Sequence, residues 1–409
     1  MLYQIHEMQH AAMSPITQWA DAVSHLFSSA VSPLAYTPFA QNIAAGAELM
    51  YRIAKDYKKP AFNIDSTTVN GHYVAIKETV VDTRPFCSLL HFRKQLGEAE
   101  REALAQPKVL LVAPLSGHHA TLLRDTVRVL LHDHDVYITD WVDARMVPVS
   151  EGPFHLHDYV FYVRDYIRML GPDVHVMAIC QPTVPVLGAV SLMATAGDIQ
   201  PRSMILMGGP IDGRKSPTEV NRLASERPYE WFENTVIDVV PFNYPGAGRR
   251  VYPGFLQHAG FIAMNPEKHM ESYLHFYEDR AHGHAADAHL QFYDEYNAVL
   301  DMAAEFYLET IKVVFQNFDL PQGRWLVDGK LVRPQDIRNV ALLTVEGGKD
   351  DICGTGQTEA AHGLCSSIPE SMKRHHVEKE CGHYGIFSGR RWREKICPTI
   401  TEFIRAHNA

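Results

Sequence analysis

Cysteine is sparse and scattered in this chain. The 409 residues hold 6 cysteines, Cys87, Cys180, Cys353, Cys365, Cys381 and Cys397. None forms a C-x-x-C pair, which argues against a zinc ribbon or a dense disulfide framework. Basic charge is also short, with 38 Lys+Arg against 48 Asp+Glu and a net charge of −10. No cation excess exists to neutralise phosphates, so nucleic acid is not expected as a partner. No apolar run approaches the length that spans a bilayer, so no transmembrane segment is expected. The stretch Met1–His10 lacks a basic n-region and a continuous apolar h-region, so a cytoplasmic location is the expectation. There is no G-x-G-x-x-G, Walker or H-E-x-x-H motif, and His118-His119 and His282-Gly-His284 lack the i, i+4 spacing of a helical metal pair. Neither a nucleotide cofactor nor a metal is expected.

Apolar residues make up 46% of the chain and charged residues 21%, as in ordinary globular proteins of a size that supports a large core. Residues 14–57 read as helical. Ser14-Pro15 offers a start, and Ile16, Trp19, Ala20, Val23, Leu26 and Phe27 fall on one face. Pro33 and Pro38 interrupt before a second helix from Pro38 to Tyr57. The apolar stripe is expected to pack on the domain, because its polar face lacks the Lys/Arg richness of a membrane-surface helix. His72–Val81 and Pro85–Phe92 read as strands. From Lys108 strands and helices alternate: strands 108–113, 136–139, 174–179 and 203–207, with helices 120–131 and 155–170 between. That rhythm predicts a parallel sheet with helices on both faces. It stops at Gly208 and resumes at Val340–Val345. The segment between holds nearly half of the aromatics, among them Trp231, Phe242, Phe255 and Phe261, and a helical stretch from Ala285 to Phe318. It is expected either to form a second core or to cap the carboxyl edge of the sheet, where α/β folds bind ligands. A last strand, Arg374–Glu378, and a helix from Arg390 to His407 close the chain. Of the 23 histidines, pairs such as His132/His134 and His375/His376 read as surface or strand residues.

The stretch Val174-His-Val-Met-Ala-Ile-Cys180-Gln-Pro-Thr-Val-Pro-Val-Leu-Gly188 organises the rest. An apolar strand breaks at Cys180 and continues as a packed helix. A nucleophile at the apex of such a turn is a nucleophile elbow, which needs slim or helix-compatible residues two positions away on each side. Ala178 and Pro182 stand there instead of two glycines. Ala is small, and Pro is tolerated in the first turn of a helix. A helix N-terminus favours thiolate. The competing reading is an ordinary buried strand cysteine.

The order nucleophile, acid, histidine follows along the chain, each after a strand: Cys180, Asp350 beyond Glu346-Gly-Gly-Lys, and His383 between Gly382 and Gly385. Asp351 competes with Asp350, which is preferred for lying nearer the strand end. His383 would take the thiol proton, Asp350 would hold its tautomer, and backbone N–H groups of Gln181 and of Leu115 or Ser116 would hold an oxyanion. The expected fold class is α/β: an α/β-hydrolase fold with a mostly parallel sheet flanked by helices and an aromatic-rich helical cap. Residues 1–60 would be N-terminal helices, 61–209 and 339–409 the core, and 210–338 the cap.

The elbow Ala178-Ile-Cys180-Gln-Pro182 resembles that of intracellular polyhydroxybutyrate (PHB) depolymerases. So do Met1-Leu-Tyr-Gln, Met207-Gly-Gly-Pro-Ile-Asp212, Glu346-Gly-Gly-Lys-Asp350-Asp351-Ile and Cys381-Gly-His383-Tyr-Gly385-Ile-Phe-Ser-Gly-Arg390-Arg-Trp. The resemblance implies a cysteine nucleophile with aspartate and histidine at Cys180, Asp350 and His383, hydrolysis of stored amorphous polyester to 3-hydroxybutyrate oligomers and monomer, and docking on the PHB granule. The alternatives are a polyester-synthase-like acyltransferase and a non-catalytic granule-coat protein.

Overall fold

In the computed structural model, which describes residues 2–29, 31–37, 39–264, 266–282 and 287–408, one sheet runs through the chain from Ser66 to Glu378. Its strands are β1 (Ser66–Val69), β2 (His72–Arg84), β3 (Cys87–Lys94), β4 (Lys108–Val112), β5 (Asp135–Trp141), β6 (Val174–Ile179), β7 (Ser203–Met207), β8 (Ala341–Gly347) and β9 (Lys373–Glu378). Their spatial order is β1-β2-β3-β5-β4-β6-β7-β8-β9. The first pairings are antiparallel, and from β5 onward every pairing is parallel. Strands β4, β6, β7 and β8 are nearly continuous apolar runs because helices cover them on both sides. Strand β2 has one face toward solvent, and its sequence alternates accordingly. The order reverses around β4, so β6 ends beside β4 at a switch point, where the crevice of an α/β sheet opens. This strand order, with the sharp turn after β6, is that of the α/β-hydrolase fold.

The helices are α1 (Leu2–Ser28), α2 (Ala40–Ala54), α3 (Glu98–Leu104), α4 (Arg124–Leu130), α5 (Leu156–Leu170) and α6 (Thr183–Ala196), followed by those beyond β7 and a closing helix at Cys397–Ala406. Helix α1 starts earlier than expected and passes through Pro15, because Tyr3 anchors its first turn. The Tyr3 ring is buried and meets Phe255 edge-on at 5.5 Å. Its hydroxyl donates to Asp301 Oδ2 at 2.8 Å, and its backbone N–H to Asp238 Oδ2 at 2.8 Å. The predicted packing stripe of α1 splits. Ala20 is buried and Val23 and Phe27 partly so, whereas Ile16, Trp19 and Leu26 face outward. Pro38, where the second helix was expected to begin, lies outside the described residues.

The segment between β7 and β8 packs on the carboxyl edge of the sheet. Leu300 N–H donates to Gly117 O at 2.8 Å, and Val299 bridges to His118. The Trp325 ring lies against Gly188 of α6, where an added Cβ would come within 2.6 Å of it. Phe306 stacks on Tyr159 of α5 at 5.6 Å. Buried Phe232, Phe306 and Trp325 therefore serve as core, while Phe242 is 99% exposed; the Phe261 side chain lies outside the described residues. The expected long helix is interrupted. Ala285 is outside the described residues, helix Asp287–Tyr296 ends, and Met302–Ala303 pairs with Val251–Tyr252 before a helix resumes at Ala304–Thr310. The break follows from donors spent on the core, since Asp301 N–H reaches Asp143 Oδ1 and Leu300 N–H reaches Gly117. His134 is also unlike its surface reading: it is wholly buried, its Nδ1 lies 3.1 Å from Leu130 O, and burial pushes it down to about 4.

Tyr3 and Asp301 thus tie α1 to the segment beyond β7. Replacing Tyr3 with Phe removes one donor from a buried carboxylate and is expected to cost about 1–3 kcal/mol in urea unfolding. Amide exchange along α1 should quicken. Wild-type stability with unchanged exchange would show that this bond does not hold the helix.

Candidate active site

Strand β6 ends at Ile179, and Cys180 turns the chain with φ +67°, a left-handed conformation that L-residues adopt only when surroundings enforce it. The Cys180 N–H donates to Met207 O at 2.7 Å, and helix α6 begins at Thr183. Pro182 precedes its first residue, where a missing N–H is harmless. The turn demands slim neighbours. At Gly209 an added Cβ would stand 2.3 Å from Cys180 O and 1.9 Å from Thr183 Oγ1. Gly208, at φ +52°, gives similar clearance to Ile386 and to the His383 ring. Thr358 pins this glycine pair, its hydroxyl accepting from Gly209 N and donating to Gly209 O. Gly208-Gly209 reads in the sequence only as a stop after β7, so its part in clearing the elbow was not legible there.

Asp350 follows β8 with its side chain wholly shielded from solvent. Its Oδ1 accepts from Ile352 N at 2.9 Å and Cys353 N at 2.8 Å, while Oδ2 lies 2.7 Å from His383 Nδ1. Asp351, the competing acid, is exposed. His383 follows β9 through Gly382, with the Cys180 sulfur near enough to act on its ring electrostatically. Burial alone would disfavour the charged ring. The Asp350 carboxylate and the Cys180 sulfur outweigh burial and hold the imidazole well above the usual histidine range. The three residues named from the sequence therefore meet at one edge of the sheet.

Of the expected oxyanion donors, the Gln181 N–H has no acceptor among the described residues. The Leu115 N–H donates to Gln181 Oε1, 3.4 Å away. Ser116 follows in the same loop and is half-buried. The loop is held at its root, where Trp141 Nε1 and the Tyr159 hydroxyl both donate to Ala113 O, at 2.8 and 3.0 Å. Neither aromatic was expected near the site. Tyr384, beside His383, meets its ring edge-on at 5.8 Å.

Two clusters have metal-ligand composition among the described residues, His155/His157/Glu309 and Glu346/Glu359/His375. Glu309 in the first and Glu346 in the second are already engaged. Glu309 accepts from His155 Nδ1 and Leu156 N, and Glu346 accepts from the N–H groups of Gly356, Thr358 and Glu359. His118 lies apart from both, buried with Nε2 3.1 Å from Tyr296 O and pushed down to about 4 by burial and by neighbouring His258. His284 lies outside the described residues.

Because the folded state holds the His383 proton more tightly than the unfolded chain, that contribution to stability is full below about pH 6.5 and is lost as pH rises through the raised folded value. In a Cys180→Ala background, Asp350→Asn is expected to lower stability most near about pH 6, with a gap that narrows as pH rises through the raised His383 range. Urea unfolding across that range checks this, and a gap independent of pH contradicts it.

Comparison with known proteins adds a family. Residues 208–408 match the family described as PHB de-polymerase C-terminus. No curated protein matches the chain. Among solved structures it is similar to 2-hydroxy-6-oxo-6-phenylhexa-2,4-dienoate hydrolase from Rhodococcus sp. strain RHA1, at 13% identity, covering 81% of this chain and 99% of that one with a TM-score of 0.44. It is also similar to the monoacylglycerol lipase of Paleococcus ferrophilus, at 13% identity, 74% and 96% coverage and a TM-score of 0.43. A hydrolase from Pseudomonas aeruginosa gives 12% identity, 81% and 98% coverage and a TM-score of 0.43. The strand order makes the chain an α/β-hydrolase-fold protein, and its residues 208–408 carry the domain described as PHB de-polymerase C-terminus.

Proposed function

We propose that the chain cleaves ester bonds of amorphous poly(3-hydroxybutyrate) with Cys180 as nucleophile. The observation that carries this reading is the His383 imidazole held 2.7 Å from the buried Asp350 carboxylate at the sheet edge where Cys180 turns the chain at φ +67°. His383 takes the thiol proton as sulfur attacks the ester carbonyl, then gives it to the departing alcohol oxygen. Asp350 fixes the tautomer and balances the imidazolium. Water, deprotonated by His383, then splits the thioester and releases a hydroxy acid. The carbonyl oxygen, when it becomes an oxyanion, enters between Gln181 N–H and Leu115 or Ser116 N–H, displacing the Gln181 carboxamide. The polyester as substrate rests on the family match and on the motifs at Cys180, Asp350 and His383. Residues 210–338 act as a cap over this site.

The same reading places the enzyme on the granule surface. Trp19 is 60% and Phe39 75% exposed, and Met8, Ile53 and Phe242 are exposed as well. Apolar side chains so disposed suit a polyester surface. No helix among the described residues is long and apolar enough to cross a membrane.

Cys180→Ala is expected to keep the far-UV circular dichroism spectrum and to lose hydroxy-acid release from amorphous granules by on the order of 10⁴-fold or more. Unaltered release would remove Cys180 from the mechanism. Trp19→Ser with Phe242→Ser is expected to lower co-sedimentation with granules several-fold while hydrolysis of a short soluble ester stays unchanged. Equal co-sedimentation would free these side chains of any docking role.

A further inference from the structure

The backbone of Ala113, one residue past β4, is held at both its N–H and its carbonyl by buried side chains. The N–H donates to the Thr139 hydroxyl at 2.9 Å. The carbonyl accepts from Trp141 Nε1 at 2.8 Å and from the Tyr159 hydroxyl at 3.0 Å. A carbonyl oxygen has two lone pairs, so both are filled. Thr139 and Trp141, two positions apart on β5, share one face of the strand. Tyr159 comes from α5, and its ring stacks on Trp141 at 4.2 Å.

One donor is enough to satisfy a buried carbonyl. Two donors from different elements also fix its direction. This carbonyl belongs to the Ala113–Pro114 peptide group, which is planar. The Pro114 ring then locks φ at about −65°. Between the clamped carbonyl and the Leu115 N–H only one soft torsion remains, ψ of Pro114. The Leu115 N–H reaches Gln181 Oε1 at 3.4 Å, so this amide touches the side chain of the residue that follows Cys180. Burial holds the Tyr159 hydroxyl well above the usual tyrosine range, which keeps it a donor at any pH at which the fold works.

We propose that Trp141 and Tyr159 are positioning residues for ester cleavage, which aim the Leu115 N–H at the oxyanion through the Ala113 carbonyl and Pro114. This rests on the reading of Cys180 as nucleophile and Leu115 as an oxyanion donor, and it adds what aims that donor. A donor stabilises developing charge most when it need not move as the charge appears. The two rings act through the backbone, so loosening the clamp slows the chemical step and leaves ground-state binding alone.

Tyr159→Phe tests the proposal, with Tyr166→Phe as control, because Tyr166 is buried on the same helix and its hydroxyl donates to Cys87 O at 3.5 Å. On p-nitrophenyl butyrate, Tyr159→Phe is expected to lower kcat about ten-fold with KM unchanged, part of the roughly 10²–10³-fold lost with a whole oxyanion donor. Trp141→Phe removes the other donor and is expected to act in the same direction. Butanal adds to Cys180 as a hemithioacetal: the sulfur bonds the carbonyl carbon, the carbonyl electron pair moves to oxygen, and the thiol proton follows through His383. Its inhibition is expected to weaken about ten-fold in Tyr159→Phe, whereas iodoacetamide, which forms no oxyanion, alkylates Cys180 at the wild-type rate. Wild-type kcat and butanal affinity in Tyr159→Phe, or an equal loss in Tyr166→Phe, would overturn the clamp and leave Cys180 in place. Turnover and butanal inhibition persisting in Cys180→Ala would overturn the nucleophile reading and the clamp with it.

Discussion

Cys180 sits at φ +67°, where an L-residue crowds its own carbonyl at a cost of about 1–2 kcal/mol. The surroundings are arranged to impose that turn. Met207 O fixes the Cys180 N–H from the adjacent strand, and α6 starts at once beyond Pro182. The paired glycines after β7 leave the only room in which the turn fits, because a Cβ at Gly209 would collide with the Cys180 carbonyl. The strain raises the sulfur above the sheet edge, at a helix N-terminus that favours negative charge.

Electrostatics complete what the turn begins. Asp350 is removed from water yet accepts two backbone N–H groups on one oxygen and faces the His383 ring with the other. Glu346, a few residues earlier on β8, is buried and accepts three backbone N–H groups from the segment Gly356–Glu359. That fixes the loop from which Thr358 clamps Gly209. Two buried carboxylates thus do different work: one orients the imidazole, and the other orients the backbone that makes room for the elbow.

The segment beyond β7 and the N-terminal helix are tied into the same edge. Gly117 O and His118 of the loop after β4 pair with residues 300 and 299, and Asp301 next door receives the Tyr3 hydroxyl. A residue near the start of the chain, a loop after β4 and a strand segment some three hundred residues along therefore share one packed region. Meanwhile the outward side of α1 and α2 keeps apolar side chains in solvent.

The parallel strands were legible because burial on both faces demands unbroken apolar runs, and β7, read as Ser203–Met207, has those bounds. The order of Cys180, Asp350 and His383 was legible too, since each follows such a run. What sequence could not supply was anything set by contact at long range. Helix α1 passes through Pro15 because Tyr3 is held from the far side of the chain. The helix expected through residues 297–303 breaks because Asp301 and Leu300 spend their donors on the core, and His134 is buried rather than exposed. The roles of Gly208-Gly209, Trp141 and Tyr159 appear only when β5, β6 and β7 are brought side by side. Periodicity reports which face of an element avoids water, so residue order by itself determined the sheet and the identities at its strand ends. Only tertiary structure decided which groups touch there, because a hydrogen bond or a steric clearance between distant residues leaves no periodic trace along the chain.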